Sequence, residues 1–108
     1  MAEDIFCDIA NHKIEAPIKY EDDLFVIIPS KHPAAETHYL VIPKEHIQSI
    51  VHVGDEHAET LGKMMLLASK FAKEQGIKDY KLILNAGKYA QIPHLHLHIL
   101  AGELEDDT

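Results

Sequence analysis

Between Pro93 and Leu100 the chain reads PHLHLHIL, with three histidines alternating with apolar residues. Successive side chains of a strand point to opposite faces. The pattern therefore specifies a strand with Leu95, Leu97 and Ile99 in a core and His94, His96 and His98 together on the other face. At a rise of roughly 3.3 Å per residue, neighbouring rings on that face start about 6.6 Å apart. One phosphate or carbonyl centre could touch two of them, with the third shaping the edge of the site. The loop NAGKYAQIP precedes the strand and has the Gly, Asn and Pro character of a structural break. Pro93 has no N–H to give to a ladder and fits the strand's first position.

The chemistry open to such a site is narrowed by charge. The formal net charge is −8 over 108 residues, and all ten basic residues are lysine. Binding to a nucleic-acid backbone depends on clustered Lys and Arg, so the charge argues against that class of partner. Without arginine, no guanidinium fork can clamp a phosphate. Histidine, lysine, hydroxyls and backbone N–H groups must hold any anion bound here. The length suits one domain spanning residues 1–108. The single cysteine, Cys7, rules out an intramolecular disulfide and suits a reducing compartment. The opening MAEDIF lacks the basic-then-apolar pattern of a secretory leader, and no apolar run approaches the ~20 residues that span a bilayer. The expectation is a cytoplasmic protein with no membrane partner.

In order, IFCDIAN at 5–11 reads as a short helical turn, followed by an extended segment to Tyr20 with a further short strand near Ile18. After the acidic turn at 21–23, LFVII at 24–28 reads as a strand. A Pro-containing loop leads to HYLVIP at 38–43, another strand, with His38, Leu40 and Ile42 on one face and Tyr39 and Val41 on the other. Lys44 to Ile50 is expected to form a short helix. The one long helix is expected from Asp55, as N-cap, to about Gln75, with Gly76 as its stop. Leu61, Met64, Met65, Ala68, Phe71 and Ala72 follow the i, i+3, i+4, i+7 spacing of its core face. Leu66 and Leu67 beside that face are candidates for an interface. Tyr80 to Leu84 reads as the fourth strand, and the acidic tail GELEDDT as frayed. Strands joined by short loops with one long helix between them give an α+β domain, an antiparallel sheet of about five strands with that helix on one face.

These pieces together resemble the histidine triad (HIT) family. The family motif His-φ-His-φ-His-φ-φ is met by HLHLHIL from His94 to Leu100. THYLVIPKEH from Thr37 to His46 resembles the family's [GT]-H-x-L-V-I-P-K-x-H, and IFCDI with KYEDD resembles its N-terminal blocks. The likeness covers residues 4–102, and its length and layout resemble the Hint-like nucleoside-phosphoramidase branch. It implies a HIT-like fold, a homodimer and a hydrolase or transferase that cleaves the α-phosphate linkage, typically P–N, of purine nucleotides. The middle triad histidine is the family's nucleophile, which puts that role on His96, with His98 at the non-bridging oxygens and His38 and His94 completing the site. A neutral imidazole, with a reference pKa near 6.5, can attack phosphorus at pH 7. Asn85, Gln91, Ile27 and Ser30 are the nucleotide-binding candidates.

The departures from the family pattern are as informative. VIIP at 26–29 stands where the family has D-I-x-P, so the acidic residue that grips the ribose is missing and Ser30 is the substitute within reach. AQIPH replaces A-G-Q-x-V-x-H, and the leaving-group hydroxyl is not found nearby. The chemistry requires no cofactor. Some bacterial members, however, hold a structural zinc on C-x-x-C and two histidines; the matching positions here are Asp4, Cys7, His46 and His94. Two other readings stay open at this point. One is a catalytically weak nucleotide-binding or scaffold protein, and the other a metal enzyme built on three of the histidines.

Overall fold

Alternating apolar residues before and after the long helix build a five-stranded antiparallel sheet, flanked by a short helix on one face and the long one on the other. The computed structural model describes residues 4–104. In chain order the elements are α1 (Ile5–Ala10), β1 (Tyr20–Glu21), β2 (Phe25–Pro29), β3 (Ala35–Pro43), α2 (Ala58–Glu74), β4 (Lys81–Ile83) and β5 (Leu97–Leu104). The sheet order is β1-β2-β3-β5-β4, so β3 and β5 lie side by side at its middle. Leu40 pairs with His98 and Tyr39 with Ile99.

The register sorts the side chains. Phe25, Ile27, Val41, Leu97 and Ile99 form a core with Met64, Ala68 and Phe71 of α2. Val26, Ile28, Leu40 and Ile42 point the other way and pack with Phe6 and Ile9 of α1. The expected division of the strand at 38–43 into two faces is therefore observed. A short strand does lie near Ile18, as β1, and α1 forms where a helical turn is expected.

The long helix ends as its sequence specifies. Gly76 takes φ 75°, and the N–H groups of Gly76 and Ile77 return to Lys73 O and Ala72 O at 3.0 and 2.8 Å, a Schellman closure. Its start differs. Asp55 does not cap it; a 3₁₀ turn at Asp55–His57 leads in, and the Gly54 N–H donates to His57 Nδ1 at 3.0 Å. The apolar stripe is also narrower than its spacing implies, since Met65 is 47% exposed. Leu66 is exposed as expected, but Leu67 is half-buried against the core.

Three further expectations are corrected. Residues 44–49 form no helix, and the next turn along the chain is 3₁₀, at Ile50–His52. Their backbone is used elsewhere: the Lys44 N–H donates to Leu24 O at 2.7 Å, and Ile47 O accepts from Leu95 N–H at 2.6 Å. That second bond makes the next correction. Leu95 pairs with a loop and not with the ladder, so β5 begins at Leu97, four residues after Pro93. Its far end persists through Gly102, Glu103 and Leu104, where Ala35 pairs with Leu104 across a bulge. The rest of the expected frayed tail, 105–108, lies outside the described residues.

Candidate active site

On the α1 side of the sheet, the edge of α1, the end of β2, the loop after it, and the loop before the triad enclose a cavity of about 410 Å³. His38, His96 and His98 line it, together with Asn85, Gln91 and Ser30. Two sequence candidates are absent from its walls. Ile27 is 0% exposed and packs in the core against α2, because it alternates with Ile28, which does face the cavity. His94 is also fully buried, and its ring is directed at α1 and not into the cavity. The faces still alternate, with Leu95 in the α2 core and His94 on the α1 side, but the His94 ring lies against Cys7 and Asp4 and outside the cavity.

The hydrogen bonds fix the tautomers of the rings. His96 Nδ1 lies 2.7 Å from the His94 carbonyl, so Nδ1 carries the hydrogen and Nε2 keeps its lone pair. The backbone N–H of Ala34 donates to His38 Nδ1 at 3.0 Å. His38 must then carry its hydrogen on Nε2, which donates to His98 Nδ1 at 2.8 Å. This in turn leaves the His98 hydrogen on Nε2, a buried atom with no partner. A backbone amide thus acts through two rings to present an N–H at one point, while a carbonyl turns a lone pair outward on the neighbouring ring. The His96 and His98 centroids are 4.9 Å apart.

Burial keeps these rings neutral. Desolvation is the main cause holding His98 well below the ordinary imidazole value, at about 4, helped by the neighbouring His96 and His38. His96 is lowered mainly by burial, against the opposing pull of its bond to the His94 carbonyl, and His38 mainly by burial and then by His96. The site is therefore set for an uncharged nucleophile and uncharged donors at neutral pH. His38 and His98 bond to each other and do not converge on a shared point, so a three-histidine catalytic metal site does not match this geometry.

Ile5, Phe6 and Ile9 of α1 also line the cavity, a role that the motif blocks do not assign them. Phe6 meets His96 edge-on at 5.0 Å between centroids. Ile5 and Ile9 stand at i, i+4 on one face of the helix, a spacing that six residues are too few to turn into a facing direction. Lys31, His32 and Tyr89 also line the cavity, and among the described residues that line it none is acidic, despite the net charge of −8.

Beneath the cavity, Asp4, Cys7, His46 and His94 bring their ligand atoms within 4.8 Å of one another. His94 Nε2 donates to Pro43 O at 2.7 Å, so its Nδ1 lone pair faces Asp4 Oδ1 at 3.2 Å and Cys7 Sγ at 3.4 Å. Two acceptors thus stand side by side, with one thiol hydrogen shared between the His94 and His46 rings, an arrangement that a cation at the centre would complete. Asp4 Oδ2, 3.1 Å from His46 Nδ1 but outside hydrogen-bonding geometry, is buried without a partner. The donor set of one oxygen, one sulfur and two nitrogens fits a tetrahedral zinc, with Asp replacing one thiolate of the commoner sets.

Comparison with known proteins agrees with this geometry. The family model described as "Scavenger mRNA decapping enzyme C-term binding" matches residues 3–107. Protein HitA of Neisseria gonorrhoeae is 43% identical over 99 residues, covering 89% of this chain and 92% of that one. The purine nucleoside phosphoramidase of Escherichia coli K12 is 37% identical over 107 residues, covering 94% and 90%. The structure of a HIT family hydrolase from Legionella pneumophila superposes with a TM-score of 0.91 at 33% identity, over 97% of both chains. Triad, fold and relatives together make this chain a member of the histidine triad family, matching that family's hydrolases in sequence and architecture.

Proposed function

We propose that this protein is a purine nucleotidyl hydrolase that cleaves P–N-type linkages at the α-phosphorus of AMP- or GMP-linked substrates through a nucleotidyl-His96 intermediate. One observation carries the reading. A lone pair on His96 Nε2 and an unpartnered N–H on His98 Nε2 belong to adjacent rings lining one cavity. The activity named for the Escherichia coli relative supports the P–N class.

In the first step His96 Nε2 attacks the α-phosphorus. A new P–N bond forms as the bond to the leaving amine breaks, and the amine departs with a proton taken from solvent. Water then attacks the phosphorus and the His96–phosphorus bond breaks. Nucleoside monophosphate leaves, and the proton from water returns to solvent. Splitting the hydrolysis this way replaces one hard displacement by two easier ones. The His98 N–H donates to a non-bridging oxygen as charge builds there, the role of an oxyanion-hole donor. His38 holds that donor in its tautomer. Ile5, Phe6, Ile9 and Ile28 supply an apolar surface for the base, while Asn85, Gln91 and Ser30 supply polar contacts. Lys31 offsets substrate charge without an arginine. His94 serves through its carbonyl.

A zinc ion on Asp4, Cys7, His46 and His94 would be structural, cross-linking α1 to the segment before β5. We further propose a cytoplasmic homodimer. Met65 and Leu66, 47% and 55% exposed on α2, offer an apolar surface to a second copy, and β4 is an unpaired sheet edge of the kind that proteins cover. No described helix is long and apolar enough to cross a membrane. The direct test is turnover of adenosine 5′-phosphoramidate by the wild type beside His96→Ala. Wild-type turnover that vanishes in the variant is expected, and equal turnover by both would overturn the reading.

A further inference from the structure

Helix α1 faces two sites at once. Ile5, Phe6 and Ile9 line the cavity, while Cys7 and the N-cap Asp4 meet His46 and His94. The segment before β5 is shared in the same way. The His94 ring belongs to the ligand cluster, and its carbonyl fixes the tautomer of His96. Phe6 touches both rings edge-on, with centroids 6.0 Å from His94 and 5.0 Å from His96. A six-residue helix has no stability of its own. Its seat depends on Phe6 and Ile9 in the core and on whatever joins Asp4 and Cys7 to the histidines. Without a cation, two acceptors, the Asp4 carboxylate and His94 Nδ1, stand 3.2 Å apart in a buried contact, and the Cys7 thiol, 3.3 Å from His46 Nδ1 and 3.4 Å from His94 Nδ1, has one hydrogen for both rings.

We infer that zinc(II) on Asp4, Cys7, His46 and His94 and a nucleotide in the cavity bind with positive cooperativity, through α1 and the 94–96 segment that both sites share. The inference rests on the nucleotide reading of the cavity. The ion replaces a single thiol hydrogen shared between two rings by a four-ligand clamp and holds Phe6 against His96. A nucleotide entering the clamped protein meets a wall already in place. A nucleotide entering the ion-free protein must first order that wall, which lowers its apparent affinity. Linkage requires the reverse effect to be equal: nucleotide must tighten zinc by the factor by which zinc tightens nucleotide. The ligand residues are positioning groups here, since none of their side chains touches the substrate.

The test is calorimetric titration of AMP into zinc-loaded and chelator-treated wild type. It is paired with competition of the zinc-loaded protein against a chromophoric chelator, with and without saturating AMP. Zinc should tighten AMP about tenfold, and AMP should tighten zinc by the same factor, within the common range of coupling. The chelator competition starts from loaded protein, so it reports even if the ion-free form loses structure. Asp4→Asn separates the residue's two roles. Asparagine caps a helix as well as aspartate, preserving the bond from Cys7 N at 2.8 Å, but it is a poor zinc ligand. This variant should bind AMP like ion-free wild type and ignore added zinc. Equal AMP affinity, within twofold, for loaded and ion-free wild type would overturn the coupling alone. So would a protein that retains no zinc. AMP binding to neither form would overturn the nucleotide reading itself.

Discussion

Replacing His38 by alanine removes the N–H that donates to His98 Nδ1 at 2.8 Å. The His98 ring stays, but nothing then selects the tautomer with its hydrogen on Nε2. The loss is one hydrogen bond, worth about 0.5–1.5 kcal/mol net, so kcat should fall about 2- to 13-fold. His98→Ala removes the donor to the transition state outright, a loss that typically costs about 10²–10³ in kcat. The two variants should therefore differ by about eightfold or more on a phosphoramidate substrate. His38→Gln, which still donates, should recover part of the His38→Ala loss. ¹⁵N NMR of the imidazoles reads the cause directly: the His98 hydrogen should sit on Nε2 in wild type and redistribute in His38→Ala. A wild-type His98 protonated on Nδ1, or a His38→Ala defect as large as that of His98→Ala, would refute the relay.

Burial holds His96, His38 and His98 below the ordinary imidazole value of 6.5. The acid limb of kcat/KM should accordingly have its midpoint below 6.5, and a midpoint above it would contradict the site's electrostatics. For stability the sign follows from His98, whose folded value is about 4 against 6.5 when exposed. The unfolded chain binds the extra proton between those values, so the His98 contribution is complete above pH 6.5 and lost as pH falls toward 4, seen as a falling Tm. Gly102→Ala should destabilise by about 1–3 kcal/mol in denaturant titration. A Cβ there would meet Glu36 Cβ at 2.8 Å, at a φ of 80°; an unchanged midpoint would mean the β3 bulge yields freely. Met65→Glu with Leu66→Glu should give a monomer by light scattering with its fold intact, and a wild type already monomeric at micromolar concentration would remove the dimer proposal.

The parts legible in the sequence are those where one local rule decides. Tyr39 and Val41 face α2 while Leu40 and Ile42 face α1, because a strand allows only that alternation. Gly76 stops α2 because its positive φ suits glycine. The misreadings lie where tertiary contacts override local pattern. Residues 44–49 lose their helix to bonds with Leu24 and Leu95, partners that spacing cannot reveal. The same bond to Leu95 delays β5 although the letters alternate without a break, and Asp4 and Cys7 draw the His94 ring into a cluster outside the cavity. Met65 fits the helical period but lies beyond the width of the groove that Met64, Ala68 and Phe71 fill. In the site, His96, His98 and His38 were readable from the motif blocks. The cavity wall contributed by α1 was not, because six residues carry too little periodicity to show which face looks inward.

The central claim is that His96 Nε2 forms a bond to phosphorus. Wild type and His96→Ala should be mixed with an adenosine phosphoramidate, quenched in the steady state at neutral pH, digested and analysed by mass spectrometry. Wild type should yield the mass of AMP on a peptide containing residues 94–98, labile to acid as a phosphoramidate is. His96→Ala should yield neither adduct nor turnover while still binding AMP within about tenfold, since one lost polar contact is worth about 0.5–1.5 kcal/mol. Full turnover by His96→Ala, or an adduct that persists in it, would contradict the assignment of the nucleophile.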